Sequence, residues 1–173
     1  MSLYLRVPEE KDEKLWEYFI KELLEKNEKV LPYALNYGLE KYSDYLIEVE
    51  YNKKGVNLPQ GIVPCSVYFL FDDTESKILG CIAIRHELND ALRFTGGNIG
   101  YSISPSERNK GYGKEMLRLG LEKCKDLGLK KVLLTCDKTN KSSSGVMKAN
   151  GGVFFEEFTD DNGTLRERYW IEL

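Results

Sequence analysis

Apolar and polar positions alternate along this chain with two different periods, and the period changes mark its elements. Between Asp12 and Glu28, Leu15, Trp16, Phe19, Ile20, Leu23 and Leu24 fall at i, i+1, i+4, i+5, i+8 and i+9. That spacing places one apolar stripe on a helix. Residues 34–51 predict a second, less regular helix. Lys53 to Pro64 carries Gly55, Pro59, Gly61 and Pro64 and predicts a loop within the domain. Strands follow over 65–71 (CSVYFLF) and 77–86 (KILGCIAIRH), a hairpin across the polar turn 72–76. A polar, glycine-bearing connection over 89–97 leads to a third strand, 98–104, which Pro105 stops.

The most regular helix is expected over 112–127, where Met116, Leu117, Gly120, Leu121, Cys124 and Leu127 share helical spacing and Gly128 supplies a stop. The continuous apolar run Lys131–Cys136 reads as a buried strand. A short helix is expected over 142–150. A final hairpin joins 153–158 to 164–171 through Asp160-Asp161-Asn162-Gly163. This order predicts an α+β fold with one strand–helix–strand crossover late in the chain.

Composition narrows the class. The chain has 173 residues, a length expected to form one domain over 1–173, with 42% hydrophobic and 31% charged residues. Its net charge of -3 offers no electrostatic footprint for nucleic acid. Its apolar runs are too short for a bilayer span, and no signal-peptide core precedes the charges from Glu9 onward, so a cytoplasmic protein is expected. Cys65, Cys81, Cys124 and Cys136 lack Cys-x-x-Cys pairing and sit among apolar neighbours. They are expected to be buried reduced thiols, and no metal site is expected. Tyr33, Tyr37, Tyr42, Tyr45 and Tyr51 crowd the second helical region. They fit either packing with surface hydroxyls or one wall of a substrate pocket.

The chemistry concentrates in the turn Arg108-Asn109-Lys110-Gly111-Tyr112-Gly113-Lys114. A strand delivers the chain to a helix start, where first-turn N–H groups lack partners and carry partial positive charge. Glycines allow an anion close approach, and Arg108, Lys110 and Lys114 add formal charge, a constellation suited to a phosphate or pyrophosphate. A Walker A loop would need Gly at 108 and Ser or Thr at 115, where Arg108 and Glu115 stand. A dinucleotide fingerprint would need Gly at 116, where Met116 stands.

The turn does match Arg/Gln-x-x-Gly-x-Gly/Ala, as Arg108-x-x-Gly111-x-Gly113, and with its flanks it resembles the GNAT acetyltransferase superfamily. Tyr101-Ser102-Ile103 followed by Ser-Pro resembles that family's fourth strand, and Leu133-Leu134-Thr135-Cys136 its fifth. Asn140, Ser143 and Lys148 to Gly152 resemble the helix that closes on the cofactor. The resemblance covers about residues 65–173 and implies a mixed, mostly antiparallel twisted sheet, flanked by helices and splayed between strands four and five. It implies acetyl-coenzyme A as co-substrate and direct transfer to a small-molecule or peptide amine by a monomer or homodimer. Tyr101, Ser102, Ile103, Arg108, Asn109, Lys110, Gly111, Tyr112, Gly113, Lys114, Asn140 and Ser143 would then contact the cofactor. A backbone N–H near Ile103 would face the developing oxyanion.

Two positions depart from the family pattern. The usual tyrosine acid, seven residues after the asparagine, is Met147, and a strand glutamate used by some members is Gly97. The remaining candidates for proton transfer are Glu87, His86 and Tyr101, or water. The alternative reading, motivated by Met147, is a coenzyme A-binding sensor or interaction module without turnover.

Overall fold

The computed structural model describes the whole chain, Met1–Leu173. The apolar runs form two antiparallel sheets that meet at a single point. The first sheet runs in the order β1 (Leu3–Arg6), β2 (Cys65–Asp72), β3 (Gly80–Arg85), β4 (Ile99–Ile103). The second runs β5 (Lys131–Asp137), β7 (Leu165–Glu172), β6 (Val153–Thr159). Every ladder within the sheets is antiparallel.

Helices α1 (Glu13–Glu25) and α2 (Tyr42–Lys54) pack on one face, where Trp16, Phe19, Leu23, Tyr45 and Phe69 share a buried cluster. A five-residue helix, α3 (Asp90–Phe94), precedes β4. On the opposite face, α4 (Tyr112–Asp126) buries Met116, Leu117, Gly120, Leu121 and Cys124 beside Ile82 and Ile84. Each of the methionine, leucine and isoleucine side chains so removed from water contributes roughly 1.5–3 kcal/mol. Gly120 is the close-approach point, since a Cβ there would lie 2.4 Å from Ile82 Cδ1. Helix α5 (Lys141–Ala149) follows β5 and packs beside α4. No helix is long and apolar enough to cross a membrane.

The structure revises the expected elements at the N-terminal end. Strand β1 was not expected: four half-buried residues carry little pattern, and its place is fixed by partners far away. Arg6 donates to both carboxylate oxygens of buried Asp12, at 2.7 and 2.8 Å, and also reaches Glu75. The second helix occupies 42–54 instead of 34–51. Pro32 and the left-handed residues Tyr37 (φ 51) and Gly38 (φ 71) interrupt the chain before it, and left-handed Gly55 ends it. The connection over 89–97 contains α3, started by Asn89 accepting from Leu92 N–H at 2.9 Å.

The tyrosines belong to the packing, with a correction to where their hydroxyls point. Tyr42 and Tyr45 are buried, and they donate to the carbonyls of Glu9 and Ala34 at 2.8 and 3.0 Å. Only Tyr33 and Tyr51 of this group are exposed. The four cysteines are free and buried.

Candidate active site

The two sheets touch where β4 begins and separate along its length. Asn98 N–H donates to Leu133 O at 2.7 Å, and Asn98 Oδ1 accepts from Leu133 N–H at 2.9 Å. Gly97 makes this junction possible. Its φ is 63°, and a Cβ would lie 2.2 Å from Leu133 O. A glutamate therefore has no room at this position, which accounts for one departure from the family pattern.

Beyond the junction, β4 has one free edge. Arg85 N–H bonds Asn98 O and Ser104 N–H bonds Leu79 O, so the even-numbered residues of β4 pair with β3. The N–H groups of Tyr101 and Ile103 consequently face the opening. The side chains alternate across the sheet. Ser102 points to the α1–α2 connection and donates to Leu31 O. Tyr101 points the other way, and its hydroxyl lies 3.0 Å from Ser143 Oγ and 3.3 Å from Ser143 O.

A cavity of about 630 Å³ fills the opening. Tyr101, Ser102, Ile103, Arg108, Asn109, Gly111, Tyr112, Gly113, Lys114, Asn140 and Ser143 all line it. Lys110 does not; it is exposed and pairs with Glu107 at 2.8 Å. His86 and Glu87 lie outside it as well. His86 Nε2 is 2.7 Å from Ser66 Oγ, on β2, and burial lowers the imidazole pKa. Met147 is a core residue at 1% exposure, packed with the α4 and β5 cluster.

At the anion end, Asn109 (φ 63) and Gly111 (φ 84) turn the chain into α4 without any side-chain cap. The N–H groups of residues 109–114 have no backbone or side-chain acceptor. Gly113 permits close packing of the two helices, since a Cβ there would sit 3.2 Å from Val146 Cγ2. The uncapped first turn, Lys114 and the guanidinium of Arg108 make this end of the cavity fit a pyrophosphate.

Sequence patterning gave no sign of Glu28 in this role. Its carboxylate, on the connection after α1, holds Arg108 bidentately at 2.7 and 2.7 Å. Arg108 lowers the Glu28 pKa, and Glu28 raises that of Arg108. Arg108 Nε also donates to Ile103 O at 3.2 Å, tying the turn to the strand. Leu23, Lys29, Leu31, Glu107, Ser142 and Val146 complete the lining. They are ordinary surface and packing residues in sequence, and only the fold brings them to the cavity.

At the other helix, Asn140 Oδ1 accepts from Ser143 N–H at 3.1 Å and caps α5. Its side-chain oxygen is thereby committed to the helix, and the cap fixes the turn that carries Ser143 to Tyr101. Burial pushes the Tyr101 phenol up to about 12.

The family model described as "Acetyltransferase (GNAT) domain" matches residues 2–153. Compared by sequence with curated proteins, the chain has no significant match. Among solved structures, it is similar to Mycobacterium smegmatis RimJ in complex with CoA-disulfide, at 15% identity and TM-score 0.72, covering 98% of this chain and 81% of that one. The ribosomal-protein-S5-alanine acetyltransferase of Vibrio fischeri aligns at 16% identity and TM-score 0.70, covering 99% and 93%. The microcin C7 self-immunity acetyltransferase MccE, in complex with acetyl-CoA and AMP, aligns at 15% identity and TM-score 0.68, covering 99% and 92%. At these identities the likeness establishes the fold.

Proposed function

The chain belongs to the GNAT acetyltransferase family, and from that premise we propose that it transfers the acetyl group of acetyl-coenzyme A directly to a primary amine. The observation that carries this reading is the run of unpaired N–H groups at 109–114, opening on a cavity that continues along the free edge of β4. Arg108, Gly111, Gly113 and Lys114 would hold the pyrophosphate. Tyr101 and Ile103 would offer backbone N–H groups to the pantetheine arm and to charge developing on the carbonyl oxygen. When bound, the thioester supplies an acyl carbon to the attacking amine: a C–N bond forms, the C–S bond breaks, and the sulfur takes a proton. The amine enters deprotonated, its proton passing to water. Of the expected candidates for proton transfer, neither His86 nor Glu87 lines the cavity, which favours solvent as the base.

Two of the structural neighbours are complexes with coenzyme A species, which agrees with the cofactor assignment. The exposed connection after α1, with Leu31 and Tyr33 at 51% and 63% exposure, is positioned to border the acceptor. The acceptor classes to test are small-molecule amines, antibiotics, peptide N-termini and lysine side chains.

The test is release of free thiol from acetyl-coenzyme A with a panel of those amines. Turnover with at least one amine is expected, absent in Gly111→Val/Gly113→Val. Coenzyme A binding with no turnover above that variant would favour the sensor reading, for which Met147 is the motivation. Protection against thermal unfolding by ATP but not by coenzyme A would reject both.

A further inference from the structure

We infer that Tyr101 is the proton donor to the departing thiolate and that Ser143 is its positioning partner. This deepens the acetyl-transfer reading above and rests on it. The sulfur, receiving the electron pair of the broken C–S bond, needs one proton. A side chain that supplies it must carry an acidic hydrogen, line the cavity, and lie at the end away from the phosphate turn.

Few groups meet these conditions. The charged side chains that line the cavity are Glu28, Lys29, Glu107, Arg108 and Lys114. Glu28 and Arg108 neutralise each other, and Glu107 is held by Lys77 and Lys110. Lys114 and Tyr112 belong to the first turn of α4, at the phosphate end. Lys29 lies on the connection after α1, across the sheet from α5. The Ser102 hydroxyl is spent on Leu31 O. Tyr101 is, of the lining residues of β4, the one closest to the junction at Asn98 and Leu133. It reaches α5, the helix on which the family's usual tyrosine would stand, from the opposite wall.

The bond to Ser143 gives the phenol a working geometry. Tyr101 O–H can donate to Ser143 O at 3.3 Å while Ser143 O–H donates to Tyr101 Oη at 3.0 Å. When Oη gives its proton to sulfur, the Ser143 O–H remains to steady the phenolate. The phenolate is reprotonated from water, which has gained the proton shed by the amine, so the step closes without an added acid or base. The Asn140 cap holds Ser143 in this position. Burial keeps the phenol protonated throughout the neutral range, ready to donate.

A binding measurement tests this independently of turnover. Coenzyme A is titrated through the ionisation of its thiol, followed by thiolate absorbance, in complex with the wild type and with Tyr101→Phe. A phenol hydrogen-bonded to the thiolate lowers the bound thiol's pKa, so the wild-type complex is expected to titrate about one pH unit or more below the Phe variant. Ser143→Ala should show an intermediate shift. With a turned-over amine, Tyr101→Phe is expected to lower kcat by about 100-fold with the KM for acetyl-coenzyme A nearly unchanged, within the range of general-acid effects. Equal thiol titrations in wild type and Tyr101→Phe, or an unchanged kcat, would overturn the assignment while leaving acetyl transfer intact. Failure of the wild type to bind coenzyme A would instead remove the reading on which it rests.

Discussion

Two helix N-termini open on the same cavity and are finished in opposite ways. Helix α4 begins at left-handed Gly111 with no side-chain cap, leaving the N–H groups of 109–114 without partners. Helix α5 begins at Asn140, whose side chain satisfies Ser143 N–H. An uncapped helix end costs stability that a Ser, Asp or Asn would restore. Left open, its N–H groups are free to meet a ligand's acceptors. At the capped end the N–H groups of Lys141, Ser143 and Ser144 are paired and only that of Ser142 is open, and this end holds a side chain, Ser143, against Tyr101. On the proposed reading one terminus would receive an anion and the other would fix geometry, dividing binding from chemistry within one cavity.

The comparison can be broken at either end. The largest effect is expected from Gly111→Val/Gly113→Val, which forces a β-branched residue into φ 84 and covers the open N–H groups. Coenzyme A affinity measured by calorimetry should fall by at least about 100-fold, or roughly 2.7 kcal/mol. Next, Asn140→Ala removes the cap of α5. It should cost about 1 kcal/mol in denaturant unfolding and lower kcat, while coenzyme A affinity changes by less than about threefold. A smaller and opposite effect is expected from Glu28→Gln, which removes a carboxylate from the anion end and releases Arg108. Affinity for coenzyme A should rise a few-fold, with a steeper salt dependence.

The last effect is one of pH. Tyr101, like Tyr42, Tyr45 and Tyr169, holds its proton more tightly when folded than the ordinary value of 10.0. Above that pH the folded chain binds more protons than the unfolded one, so stability present at lower pH is lost as pH rises. Urea titrations from about pH 9 to about pH 11 should show the decline, and Tyr101→Phe should make it slightly shallower.

The sequence carried this division unevenly. The open helix start at 108–114 was legible because glycine spacing, flanking charge and a strand-to-helix transition coincide within a few residues. The cap at Asn140 was legible as one of two meanings, and the bond to Ser143 shows that its oxygen serves the helix. Glu28 was not legible, because its role depends on a contact with Arg108 across 80 positions of sequence. Strand β1 was missed for the same reason: Arg6 finds Asp12 and Glu75 only in the folded chain. The second helix was placed too early because the pattern over 34–41 does not reveal that Tyr37 and Gly38 are both left-handed and interrupt the chain. Gly97 was readable as a missing glutamate but not as a steric requirement, since Leu133 O lies far away in sequence.

The most direct test of the anion turn is an amide NMR titration with coenzyme A. The backbone N–H resonances of residues 109–114 are expected to shift downfield on binding as they acquire phosphate oxygens. The Ser143 N–H, already bonded to Asn140, is expected to shift little. Large shifts at 141–143 with none at 109–114 would contradict this.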